Sequence, residues 1–169
     1  MDGLLLQTCS AHGTRRVGVA LGHVLLGGEV LALCGNLGAG KTTLVQGIAV
    51  GLGLEVRVTS PTFTLINEYG ALGNRCRLLH ADTYRLAEPA TEAEMLGELF
   101  DEGPGAVVAV EWAERVAALL PPDHLRVEFS IDDATTRTLR LTATGVESAA
   151  LLERLRARLA ELPDEAEGR

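Results

Sequence analysis

A chain of 169 residues, 47% of them hydrophobic, is long enough to bury a core without disulfide or metal staples. Its 23 acidic side chains outnumber 15 basic ones, and a net charge of −8 excludes a general DNA or RNA binder, because neutralising a phosphate backbone takes a dense basic surface. No run approaches the roughly twenty apolar residues of a membrane span, so the expectation is a cytosolic protein with no membrane partner. The three cysteines, Cys9, Cys34 and Cys76, lack metal-ligand spacing and are expected as reduced thiols, Cys34 within the core.

Taken in order, Leu4-Leu5-Leu6 forms a short apolar stretch leading to Ser10, a candidate N-cap. The helix it opens has an apolar face of Val17, Ala20, Leu21, Val24 and Leu25 and ends at Gly27-Gly28. Val30-Leu31-Ala32-Leu33-Cys34 reads as a strand. Next come Gly35, Asn36, Leu37, Gly38, Ala39, Gly40, Lys41, Thr42 and Thr43, which fit the phosphate-loop pattern G-x-x-x-x-G-K-[ST] and open a helix to about Leu52. The glycines let backbone N–H groups wrap a phosphate, and the helix N-terminus adds its free amides and dipole. Lys41 would reach the β- and γ-phosphates as a point charge while the Thr42 hydroxyl occupies one position on Mg²⁺. Lys41 is the chain's only lysine, against 14 arginines, in the place where a compact ammonium is wanted.

Thr59 to Tyr69 combines a polar entry with residues that favour extended structure, 70–74 are turn-like, and Arg75 to His80 resume a strand, which predicts a hairpin. Thr62 and Thr64 either sense the γ-phosphate or Mg²⁺ from a mobile loop or simply reflect the preference of Thr for turns and strands. Asp82 falls just beyond a strand end, the edge where open α/β sheets bind ligands. A helix from about Thr91 carries Ala93, Met95, Leu96 and Leu99 on one face, with Met95 expected in the core, and residues 101–105 break it. Val107 to Val110 read as a buried strand delivering Glu111-Trp112 at its end. Glu111 has the placement of a second Mg²⁺ anchor, or of a first-turn acid for a helix running to Leu120, and Trp112 is expected as packing. Past Pro121-Pro122, Leu125 to Ile131 and Thr138 to Ala143 alternate as a hairpin with Arg137 at its start. Glu147 to Leu162 form a last amphipathic helix with Leu151, Leu152, Leu155 and Leu159 inward. The expected architecture is one α/β domain over 1–162, a three-layer P-loop NTPase-type fold with a central, partly mixed sheet flanked by helices, and a frayed acidic tail at 163–169.

These pieces together resemble the TsaE (YjeE) family. The matching segments are the phosphate loop, Ser60-Pro61-Thr62-Phe63-Thr64-Leu65, His80-Ala81-Asp82-Thr83-Tyr84-Arg85-Leu86, Leu96-Gly97-Glu98 and Glu111-Trp112, in the family's order. One departure is Asn36, where the family usually has Asp. The resemblance implies a nucleotide-binding α/β fold, Mg²⁺-dependent ATP hydrolysis, and work with TsaB and TsaD homologues in making threonylcarbamoyladenosine in tRNA, the tRNA being met through the complex. It also implies Thr42 and Glu111 as Mg²⁺ contacts, Asp82 as an acid near the attacking water, and Thr62 and Thr64 as a switch loop. Arg137 is implied as a basic residue near the nucleotide, and Thr8 to Ala11 as a segment lying over its base. Two rival readings are a small-molecule kinase, for which Arg154, Arg156 and Arg158 would have to be a lid rather than a solvated helix face, and a nucleotide-gated binding module with incidental hydrolysis. A Ras-like GTPase is excluded, since its N-K-x-D motif needs a second lysine.

Overall fold

A computed structural model of the chain describes residues 3–61, 64–70, 73, 75–86 and 89–162, the side chains of 89–93 excepted. Thr62 and the expected tail therefore lie outside the described residues. The elements in order are β1 (Gly3–Thr8), α1 (Ala11–Val24), β2 (Val30–Cys34), α2 (Lys41–Gly51), β3 (Ile66–Tyr69), β4 (Arg77–Asp82), α3 (Pro89–Phe100), β5 (Ala106–Glu111), β6 (Leu125–Ile131), β7 (Arg137–Ala143) and α4 (Val146–Ala160). The described strands form one sheet in the order β1-β7-β6-β2-β5-β4-β3. β6, β2, β5 and β4 run parallel, and the flanking β7, β1 and β3 pair antiparallel to their neighbours. The sheet is mixed, as expected.

Burial sorts the helices into two layers. β2, Val-Leu-Ala-Leu-Cys, is buried along its whole length because both its faces are covered. Leu31, Leu33, Val107, Ala109, Val127 and Leu141 pack on the side of α1, α2 and α4, whereas Val30, Ala32, Val108 and Val110 meet Leu96 and Leu99 of α3. Ser10 caps α1 as expected, its hydroxyl oxygen accepting from the Gly13 amide at 3.0 Å. Where α1 crosses α2 the two backbones touch: a Cβ on Gly18 or Gly22 would collide with the carbonyl oxygens of Leu44 or Ile48, and one on Gly47 or Gly51 with those of Arg15 or Val19. The phosphate-loop helix is thereby clamped against the N-terminal helix.

Two expectations are corrected. Met95 is 43% exposed rather than core, because it lies about 100° around the helix from Leu96, at the margin of the stripe that Leu96 and Leu99 define. The helix expected up to Leu120 is a single 3₁₀ turn at Ala113–Val116, since Pro121 disfavours the α conformation just before it and leaves too few residues for a stable α-helix. Among the described residues no helix is long and apolar enough to cross a membrane.

Candidate functional site

The parallel strands bring their C-terminal ends to one edge, and the polar residues of interest sit there. Gly40, the residue before α2, has φ 106°, in the left-handed region that a Cβ would strain. Lys41 is only 4% exposed, and its ammonium folds back to donate to the carbonyls of Gly35 (2.5 Å) and Asn36 (3.0 Å) of its own loop. It also lies 3.9 Å from the centroid of the Trp112 ring, a cation–π contact. Burial lowers the Lys41 pKa below the ordinary lysine value, while Glu111, Glu114 and Asp82 pull it the other way.

Glu111 ends β5 and Asp82 ends β4, directly opposite each other in the parallel ladder. The Thr42 hydroxyl donates to Glu111 Oε1 at 2.7 Å, and His80 Nε2 stands 2.8 Å from the same oxygen. An ionised carboxylate can only accept, so Nε2 carries the hydrogen. Asp82 accepts from the Ser60 hydroxyl (3.0 Å) and from the Tyr84 amide (2.9 Å). Its own amide donates to the Leu65 carbonyl at 2.9 Å. Thr83, fully buried, shares its hydroxyl hydrogen between the carbonyls of Glu111 (3.0 Å) and Trp112 (2.8 Å). Leu65 (φ 66°) and Trp112 (φ 58°) are the described non-glycine residues at positive φ, and both flank these acids.

Lys41, Thr42, Thr43, Ser60, Asp82, Arg85, Glu111 and Trp112, with Leu37 to Gly40, line a cavity of about 510 Å³. On the other side of the loop, a cavity of about 310 Å³ lies between Ser10, Ala11 and Thr14 and the β6–β7 turn. Arg137 is fixed there. It donates to the carbonyls of Asp133 (2.8 Å) and Thr136 (2.9 Å), and at 3.3 Å to that of Gly38 in the phosphate loop. The turn is itself held by the Asp133 carboxylate, which accepts from the Thr135 and Thr136 amides and is thereby lowered to about 2.

Mg²⁺ takes hard oxygen ligands, usually one or two carboxylates with substrate phosphates and waters. The Thr42 hydroxyl with the carboxylates of Glu111 and Asp82 is such a donor set. Among the described residues no group of three or more His, Cys, Asp or Glu could hold a metal ion.

Of the residues singled out from the sequence, Gly35 to Thr43, Asp82 and Glu111 converge, and Arg137 reaches the loop from its far side. Thr64 is on the adjoining segment, its hydroxyl donating to Asn67 at 2.8 Å. Trp112, expected as packing, stacks at 4.9 Å on Tyr84 and covers Lys41. His80, Thr83 and Ser60 went unassigned. Their signal was available: a polar side chain in a fully buried strand has to find a partner, and His80 and Thr83 flank an acid already flagged.

A cleft of about 390 Å³ at the opposite end of the strands is less suited to a ligand. Its Glu29 accepts from the amides of Leu26 and Gly27 and from Arg154, and its Asp123 from those of Glu147 and Ser148. The arginine cluster on α4 is partly solvated, and two of its members are also tied to the body of the fold: Arg154 donates to the Val24 carbonyl and Arg156 to that of Gly3, while Arg158 pairs with Glu161 at the end of its own helix. These contacts latch α4 to the body of the fold, which removes it as a kinase lid.

Fold and site define a P-loop protein of the α/β class. Residues 8–139 match the family described as threonylcarbamoyl adenosine biosynthesis protein TsaE. A Nostoc sp. tRNA threonylcarbamoyladenosine biosynthesis protein TsaE is 43% identical over 133 residues, which is 76% of this chain and 79% of the relative. The protein of the same name from Bacillus subtilis is 37% identical over 158 residues, 92% of this chain and 95% of its own. The crystal structure of Bacillus subtilis YdiB superposes with a TM-score of 0.77 at 31% identity, covering 92% of this chain and 95% of that one. The chain belongs to the TsaE family.

Proposed function

We propose that the chain is the ATP-binding, slowly ATP-hydrolysing component of the cytosolic machinery that forms threonylcarbamoyladenosine in tRNA, acting with TsaB and TsaD homologues and meeting tRNA through them. The observation that carries this reading is the meeting of Lys41, Thr42, Asp82 and Glu111 at one cavity where parallel strands end. TsaE relatives named for this biosynthesis, matched over most of their length, supply its setting.

In this reading the amides of the loop hold the β-phosphate, and Lys41 leaves the carbonyls of Gly35 and Asn36 to meet the β- and γ-phosphates. Thr42 and Glu111 would hold Mg²⁺, which would supply charge neutralisation at the phosphates. Asp82, fixed by Ser60 and Tyr84, orients a water toward the γ-phosphorus. The water oxygen bonds to phosphorus as the bond to the β–γ bridging oxygen breaks, giving ADP and phosphate. Arg85 lines the cavity and is the chain's own candidate for stabilising the transferring phosphoryl group, a task a partner can share. Arg137 and the segment from Thr8 to Ala11 border the second cavity, where the base would sit.

Calorimetry with ATP and Mg²⁺, followed by phosphate release, tests the reading. Lys41→Ala is expected to abolish nucleotide binding, and Glu111→Ala to lower Mg²⁺-dependent turnover by more than tenfold with a smaller loss of binding. Wild-type hydrolysis by the Glu111 variant would remove that residue from the site. Phosphate transfer to a small-molecule acceptor instead of water would favour the kinase. Stronger capture of TsaB and TsaD homologues with a non-hydrolysable analogue than with ADP, together with full function of a hydrolysis-dead variant, would favour a nucleotide-gated binding module.

A further inference from the structure

His80 is fully buried in β4, between Leu79 and Ala81, and none of the chemistry above uses it. Its Nε2 hydrogen goes to Glu111 Oε1, the oxygen that also accepts from Thr42. Its Nδ1 has no hydrogen-bond partner among the described residues. A side chain serving only to fill the core would avoid an orphaned ring nitrogen, as leucine does at the neighbouring position. What the imidazole adds is one donor, aimed at one oxygen of one carboxylate.

Two donors on Oε1 fix the carboxyl group in both position and rotation, and Oε2 receives no hydrogen bond from a described residue. We propose that His80 is a positioning residue for the divalent cation: it pins Glu111 Oε1 beside the Thr42 hydroxyl so that Oε2 stays directed to the metal. This rests on the reading of the cavity as a Mg²⁺-nucleotide site. It assigns to β4 a double role, since Asp82, two residues on, is the acid for the water. Without the His80 donor, Thr42 alone restrains the carboxylate, which is then free to rotate about its terminal torsion. Outer partners that orient a metal ligand in this way are typically worth about 10–100-fold in metal affinity.

Mn²⁺ is the probe, followed by its electron paramagnetic resonance as it titrates the protein in saturating ADP. ADP affinity is measured separately in EDTA. His80→Asn, whose amide is too short to reach Glu111, is expected to weaken Mn²⁺ by about 10–100-fold while leaving ADP affinity in EDTA unchanged. His80→Gln, whose amide nitrogen can take the place of Nε2, should recover Mn²⁺ affinity to within about threefold of wild type. In a Glu111→Gln background, His80→Asn should have no further effect, because the residue acts through Glu111. Circular dichroism checks folding, and if the Asn variant unfolds, His80→Leu replaces it with the same expectation. Wild-type Mn²⁺ affinity in the Asn or Leu variant, equal weakening by Asn and Gln, or undiminished loss in the Glu111→Gln background would each overturn the assignment of His80 alone. A wild-type protein that binds ADP in neither condition would instead overturn the nucleotide site, and His80's role with it.

Discussion

The side chain of Thr83 joins two strand ends. Its hydroxyl spans the carbonyls of Glu111 and Trp112, and its amide donates to the Glu111 carbonyl at 3.1 Å. This holds Trp112 in the left-handed conformation that lays its ring over Lys41. Thr83→Val keeps the shape and loses the donor, while the Glu111 carbonyl retains the Thr83 amide and the Trp112 carbonyl retains the Arg115 amide. It should reduce stability by about 0.5–1.5 kcal/mol, the net worth of the lost hydrogen bond, read from urea unfolding. An unchanged midpoint would mean that the turn is held by other contacts. Residue-scale chemistry was legible where a motif prescribes it: Lys41 and Thr42 have places dictated by how a phosphate is wrapped. Glu111 was visible as an acid ending an apolar strand. The support around it was harder to see, because the His80–Glu111 hydrogen bond joins residues 31 positions apart, and spacing along the chain gives no sign of their register.

Among the elements, the crossing of α1 and α2 carries the sharpest steric demand. Gly47→Ala would drive a methyl group into the Arg15 carbonyl and is expected to cost about 3 kcal/mol or more. Gly97→Ala, in a helix with open space around the position, should instead raise stability by about 0.5–1 kcal/mol. Thermal or urea unfolding of the two variants makes the comparison, and a similar shift in both would contradict the close crossing. Strands β2, β5, β6 and β7 and helices α1, α2 and α4 were readable because periodicity and glycine or proline punctuation agree there. The stretch after Trp112 misled because Ala, Glu, Arg and Leu favour a helix, whereas the Thr83 clamp at one end and Pro121 at the other leave room only for a 3₁₀ turn. The glycine seam was invisible for a related reason. Gly18 and Gly22 look like weaknesses in a helix until a second helix with glycines of its own is laid across them.

On the scale of the whole molecule, α1, α2 and α4 cover one face of the sheet and α3 part of the other, while the β6–β7 turn reaches back to the phosphate loop through Arg137. That reach depends on an ionised Asp133. Its folded value of about 2 is below the roughly 3.9 of an unfolded aspartate, so its contribution is complete above about pH 4 and disappears as the pH falls through 2. In Asp133→Asn the loss of thermal stability between about pH 4 and pH 2 should be shallower than in wild type, and superimposable slopes would refute this. The three-layer arrangement was foreseeable from the alternation of strands and helices, but the path from β6–β7 to the loop was not, because it depends on β7 lying between β1 and β6. One further consequence concerns chemical labelling. Apart from its α-amino group the polypeptide has a single primary amine, Lys41, shielded by an indole and carried on the nucleotide loop. Its lowered pKa enlarges the neutral, nucleophilic fraction. An amine-directed acylating reagent should therefore form at most one side-chain amide per molecule, and mass spectrometry should find that adduct suppressed by ATP, making such a reagent a selective reporter of site occupancy.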